Sequence, residues 1–135
     1  MGELQITIPV GTLCEFDYKV TPDDTASVYG SGSLPVLATP RVVGLVEQAA
    51  LRAVQPCLPE GYTTVGVRIE LEHLQASAVG SMAHVRADVL STDGRRIEFR
   101  VEATDGERVL ARGEHTRFVV HGERFMAKVQ GSEAK

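Results

Sequence analysis

The 135-residue sequence predicts a small α+β fold in which an antiparallel β-sheet wraps around one long central α-helix. Three observations carry this expectation. The stretch Thr39 to Leu58, TPRVVGLVEQAALRAVQPCL, reads as the one long helix and is apolar around most of its circumference. Ahead of it, Thr12 to Val20 alternates in the manner of a strand. Behind it, four strand-like runs joined by short turns place their apolar residues on one face. A helix that is apolar on most sides needs such a face to cover it.

The first strand puts Cys14, Phe16 and Tyr18 on one side and Glu15, Asp17 and Lys19 on the other. Thr21-Pro22-Asp23-Asp24 is turn chemistry, and Tyr29 to Ser33 (YGSGS) predicts a loop whose position just ahead of Thr39 suits a lid or an ordinary connection. Thr39-Pro40 signals the helix start, with the threonine hydroxyl as N-cap and the proline at the first helical position; Pro56 and Pro59-Glu60-Gly61 signal its end. In Thr63 to His73 the alternation groups Val65, Val67, Ile69, Leu71 and His73 against Gly66, Arg68, Glu70 and Glu72. Met82 to Leu90 turns Ala83, Val85, Ala87 and Val89 inward, and the next strand turns in Ile97, Phe99, Val101 and Ala103. Asp93-Gly94 and Asp105-Gly106 supply the hairpin turns. In Arg108 to His121 the apolar phase moves from Val109 and Ala111 to Phe118 and Val120, for which a bulge near Gly113 would account. Phe125 to Val129 reads as a short strand or docking segment. The expected organisation is a single domain over residues 1–130 and a frayed tail over 131–135.

With 43% hydrophobic and 24% charged residues, the composition is that of a soluble globular chain. No apolar run approaches the roughly 20 residues that span a bilayer, and no signal-peptide pattern opens the sequence, so a cytoplasmic location without membrane association is the default. A net charge of −4 and the absence of tryptophan give no reason to expect nucleic acid. Cys14 and Cys57 have no metal-ligand spacing and read as small buried thiols. Neither HExxH nor a histidine cluster occurs, which leaves metal binding weakly supported.

Two polar residues break the pattern. Glu47 lies on the flank of the helix's apolar arc, between Val54 and Leu51, and His73 continues the apolar face of its strand. If the sheet packs on the helix, both point into the space between the layers and can meet there. A carboxylate beside an imidazole in a partly dry cleft activates water or forms an acyl intermediate; a buried, satisfied and inert pair is the competing reading. Thr39 adds a hydroxyl at the helix start, where backbone N–H groups favour negative charge. His84 sits on a polar strand face and reads as solvated, whereas His115 and Arg117 share a phase that faces either a site or water.

At these residues the chain resembles the hotdog-fold thioesterases, most closely the fluoroacetyl-CoA thioesterase type, over about Val10 to Val129. Thr39 and Glu47 eight residues apart in TPRVVGLVEQAALRAV, His73 and Gly66 in TTVGVRIELEH, and Arg117 in GEHTRFVVHGERFMAKV carry the likeness. The resemblance implies a hotdog fold and hydrolysis of an acyl-CoA thioester, with Thr39, Glu47 and His73 catalytic and Gly66 and Arg117 contacting substrate. Glu47 would attack the carbonyl or activate water, His73 would assist proton transfer, and Thr39 would orient Glu47 or the substrate. It also implies a homodimer or a dimer of dimers with the site near the interface, and no metal or redox cofactor. Where that type carries phenylalanines before its threonine, this chain has Gly30, Ser33, Leu34 and Leu37, which implies a broader or different short or medium acyl group. A hotdog enoyl-thioester hydratase and a non-catalytic acyl-CoA-binding module are the alternative functions.

Overall fold

The computed structural model describes residues 5–133. Strands β1 (Leu13–Lys19), β2 (Tyr62–His73), β3 (Met82–Asp93), β4 (Arg96–Asp105) and β5 (Arg108–His121) form one antiparallel sheet in the order β1-β3-β4-β5-β2. A short helix α1 (Ala26–Tyr29) precedes the long helix α2 (Thr39–Val54), which lies across the concave face, and α3 (Gly122–Glu133) closes the chain. Leu45, Val46, Ala49, Ala50, Ala53 and Val54 of α2 are buried with Val85, Ala87, Val89, Ile97, Phe99 and Val101, inward residues expected of β3 and β4, while Val42 joins a second cluster with Ala83, Ala103 and Ala111. Each fully buried valine or leucine in that layer contributes about 1.5–3 kcal/mol. The helix's polar stripe extends over β1, where Arg41 covers the Tyr18 ring and Arg52 the Phe16 ring at 4.8 and 5.0 Å. Cys14 and Cys57 are half-buried free thiols beside the core, more exposed than the sequence suggests.

Pro56 lacks the N–H that another helical turn requires, so the helix expected to reach Leu58 stops at Val54 and finishes as a 3₁₀ turn, Gln55–Cys57. At its other end the N-cap is Ala38, with Thr39 and Pro40 at the first two helical positions. The threonine hydroxyl is therefore not spent on capping.

Two bulges revise the strand phases. On β2, Gly66 pairs with Arg117 and Arg68 with Thr116, leaving Val67 as the extra residue. Thr64 and Gly66 consequently share the helix-facing side with Ile69, Leu71 and His73, while Val65 and Val67 do not, which reverses the expected grouping of Gly66 and these two valines. On β5 the extra residue is Leu110 rather than one near Gly113. Beyond it, Ala111, Gly113, His115, Arg117 and Val119 keep one phase toward the helix, Val109 pairs with outward Thr104, and Phe118 points to the opposite face, 41% exposed. The expected shift to Phe118 and Val120 does not occur because polar His115 and Arg117 occupy inward slots. Gly113 pairs regularly; it is glycine because a Cβ there would run into the Glu70 backbone.

The Tyr29–Ser33 stretch is tied down by its neighbours. Ala26 N–H donates to the Val36 carbonyl, Ser27 N–H to Leu34 and Ser31 N–H to Ala26, and Gly30 takes the left-handed conformation that ends α1. Phe125 to Val129, expected as a short strand or docking segment, belongs to α3, whose last residues Gly131–Glu133 are part of the expected tail; Ala134 and Lys135 lie outside the described residues.

Candidate active site

Helix α2 leans over β1 and β3 and leaves its other flank open toward β2 and the end of β5. The candidate residues gather there in two groups. The first is at the helix start, where the Thr39 hydroxyl lies 2.8 Å from His73 Nδ1. His73 Nε2 is buried and has no hydrogen-bond partner among the described residues. Burial holds this histidine below its ordinary pKa; the Gln75 backbone opposes the shift without bonding Nε2. A neutral imidazole anchored at one nitrogen and bare at the other is equipped to pass a proton. A cleft of about 230 Å³ opens beside it, lined by Ala26, Ser31, Val36, Leu37, Thr39 and His73 among others.

Asp24 fixes this end of the helix. Its carboxylate, 4% exposed in the whole residue, accepts hydrogen bonds from Tyr18 Oη, Thr21 N and Oγ1, and Arg41 Nε, and its backbone carbonyl accepts from Ala38 N–H. Burial alone would raise its pKa, but those donors prevail and hold it below the ordinary value.

The second group surrounds Glu47, two turns further along α2. Its Oε2 lies 3.5 Å from Arg117 and 3.9 Å from His115 Nε2, and its side chain is 41% exposed. Arg117 is buried and directed by three hydrogen bonds: Nε donates to Thr64 Oγ1 at 2.7 Å, one terminal nitrogen to Thr64 O at 3.0 Å and the other to His115 Nε2 at 3.1 Å. Gly66 lies directly beneath the carboxylate; a Cβ there would come within 2.5 Å of Glu47 Oε2. A second cleft, about 430 Å³, is lined by Arg41, Gly44, Glu47, Gln48, Leu51 and Arg117. An arginine-held carboxylate facing an open cleft has the form of a nucleophile or general base.

The two groups do not meet within one chain. Thr39 and Glu47 stand about 12 Å apart along the helix axis, and Gly66 and His73 roughly 20 Å apart along β2. The contact expected between Glu47 and His73 is replaced by Thr39 with His73 and by Glu47 with Arg117 and His115. The reason is that β2 carries its two site residues at separate positions along its length, each opposite a different turn of the helix. A larger cleft, about 570 Å³, lies on the sheet's far side among Glu70, Glu72, Arg100, Glu102, Arg112 and Glu114 and touches none of the candidates. Among the described residues no cluster suited to a metal ion occurs.

Known proteins share this fold. The model of the fluoroacetyl-CoA-specific thioesterase family matches residues 20–123. The chain belongs to that family. The fluoroacetyl-CoA thioesterase of Streptantibioticus cattleyicolor is 41% identical over 95 residues, 70% of this chain and 68% of that protein. A crystal structure of a point mutant of the fluoroacetyl-CoA-specific thioesterase superposes with a TM-score of 0.87 at 34% identity, covering 95% of this chain and 99% of the other. A Thermus thermophilus hypothetical protein of the thioesterase superfamily gives 0.87 at 28% identity, covering 95% of each chain. The fold is thus hotdog, and this thioesterase is a hydrolase of acyl-CoA thioesters.

Of the residues that sequence reasoning left open, His115 and Arg117 both face the site. Thr64 and Asp24 were not singled out. Polar side chains at inward strand positions were the available signal for Thr64, hidden until the Val67 bulge set the phase; Asp24 looked like ordinary turn chemistry with Thr21, and its distant partners Tyr18 and Arg41 come from β1 and α2.

Proposed function

We propose that this thioesterase hydrolyses short acyl-CoA thioesters at a site completed by two subunits, each supplying one of the two groups. The separation of Thr39–His73 from Glu47–Arg117 within the chain carries this reading. Strand β2 is a twelve-residue edge of the sheet, with Val67 57% and Ile69 37% exposed, and such an edge calls for cover. Antiparallel pairing of two β2 strands about an axis at Glu70, with the Val67 bulge taking up one residue on each strand, would set the partner subunit's His73 beside Gly66 and Glu47. The result is a homodimer, alone or as half of a dimer of dimers.

In that arrangement Glu47 attacks the thioester carbonyl or removes a proton from the attacking water. Arg117 holds its carboxylate in place, Gly66 leaves room for the reacting carbonyl, and His73 Nε2 relays a proton from the attacking water to the departing thiolate, ending neutral, while Thr39 fixes the ring through Nδ1. Where Glu47 attacks, expulsion of the thiolate leaves a mixed anhydride that this water hydrolyses to the free acid, regenerating the carboxylate. Small and aliphatic residues Ala26, Ser31, Val36 and Leu37 line the cleft by His73, and among the described residues that line it none but the histidine is aromatic, which favours a short acyl group. Among the described residues no helix is long and apolar enough to cross a membrane, and cytoplasmic acyl-CoA is the proposed substrate pool.

Thiol release from acetyl-, propionyl-, phenylacetyl- and long-chain acyl-CoA, run in parallel with Glu47→Gln, tests this. The short esters should be cleaved fastest, and Glu47→Gln should lower turnover at least about a hundredfold. Near-normal turnover by the folded variant would sink the role of Glu47, and no release from any ester by the unaltered protein would sink the choice of substrate.

A further inference from the structure

His115 is 1% exposed, lies on the helix-facing side of β5, and is held at both ring nitrogens. Its partners decide its tautomer. The Arg68 carbonyl, 2.7 Å from Nδ1, can only accept, so Nδ1 carries the proton. Arg117, 3.1 Å from Nε2, can only donate, so Nε2 presents its lone pair. The Arg68 carbonyl is available because the Val67 bulge breaks the ladder at that point. A protonated ring would turn an N–H against a guanidinium. Burial, with Arg117 acting in the same sense, keeps the ring neutral; the Arg68 carbonyl, Glu47 and Glu98 act in the opposite sense.

We propose that His115 is a positioning residue for thioester hydrolysis, a neutral imidazole whose Nε2 lone pair fixes the Arg117 guanidinium at the distance that steadies Glu47 without capping it. The terminal nitrogen that donates to His115 is the one 3.5 Å from Glu47 Oε2. With the lone pair in place, this nitrogen is shared and the carboxylate keeps an oxygen free for chemistry. Without it, the arginine either closes onto Glu47 and blunts it or swings away and releases it, and turnover falls in both cases. This proposal rests on the thioesterase reading of the Glu47 group.

The test pairs kinetics with the ring's protonation pattern. His115→Phe keeps the ring's bulk without either nitrogen, and should lower kcat about tenfold or more with KM little changed. His115→Gln, which restores a polar acceptor, should recover part of that loss and guards against a folding defect in the phenylalanine variant. If His115 acts through Arg117, His115→Phe in an Arg117→Lys background should cost much less than it does alone. Long-range ¹H–¹⁵N correlation on histidine-labelled wild-type protein should show the Nδ1–H tautomer. Unimpaired kcat in folded His115→Phe, additive losses in the double variant, or an Nε2–H ring would each overturn the proposal while wild-type turnover stands. Absence of wild-type turnover would instead remove the thioesterase reading beneath it.

Discussion

Gly66 shows how far a single side chain decides this site. A methyl group there would press on the Glu47 carboxylate at 2.5 Å and approach His115 Cε1 and Arg117 at 3.2 and 3.3 Å. The nearest obstacle is the end of a flexible side chain and not backbone, so Gly66→Ala should fold. Its stability should change by no more than about 1 kcal/mol, since alanine is the better strand residue. Its turnover should fall about tenfold to a hundredfold, because a displacement near 1 Å at a reacting group carries that cost. Wild-type kinetics in this variant would show that Glu47 does not work from the position seen here. Thr39 makes the complementary point. In sequence it is a cap; in the fold Ala38 takes the cap position and the hydroxyl is left to His73. Residue type announced a helix start, but the use of the hydroxyl depended on which strand end lay beside it.

At the level of elements, the pairing of β2 with β5 rests on close backbone approach. Gly113→Ala would drive a Cβ into the Glu70 backbone, which cannot rotate away, and should destabilise the protein by about 1–3 kcal/mol, read from the urea midpoint. An unchanged midpoint would mean that β2 yields at that point. The pairing of β1 with β3 carries an ionic clasp: His84 Nδ1 lies 2.8 Å from Asp17 and Nε2 2.7 Å from Glu15. Hydrogen bonds donated to Asp17 first and Glu15 next raise its pKa above 6.5. A raised folded-state value means that the contribution is fully present below about pH 6.5 and is lost as pH rises through the folded-state value. Wild-type stability relative to His84→Gln should therefore be greater at pH 6 than at pH 9, by a small margin for so exposed a cluster. Equal differences at the two pH values would show that the clasp is idle. The sequence marked His84 as polar and solvated, and the strand register turned it into a bridge.

For the whole molecule, the proposed two-subunit site makes a quantitative prediction. Homodimers of His73→Ala and of Glu47→Gln should each be nearly inactive. Mixed and allowed to exchange, half of the dimers become heterodimers, and each of those contains one site with both residues intact. Activity should therefore return to about a quarter of the wild-type level. No recovery, with exchange confirmed by native mass spectrometry, would place a complete site within each chain.

The sequence by itself determined the central helix, the inward faces of β3 and β4, and the five residues that carry the family likeness, because apolar periodicity and residue type are local properties. It placed Glu47 and His73 in the same layer, since both break an apolar face. It did not determine which residues meet. The extra residues Val67 and Leu110 reverse strand phase, and a bulge has no reliable local signature, so the inward turn of Gly66, His115 and Arg117 emerged only from the register of β2 against β5. Only the tertiary structure set Thr39 with His73 and Glu47 with Arg117, because those pairings depend on where a 16-residue helix crosses a sheet, a matter of packing between segments distant in the chain.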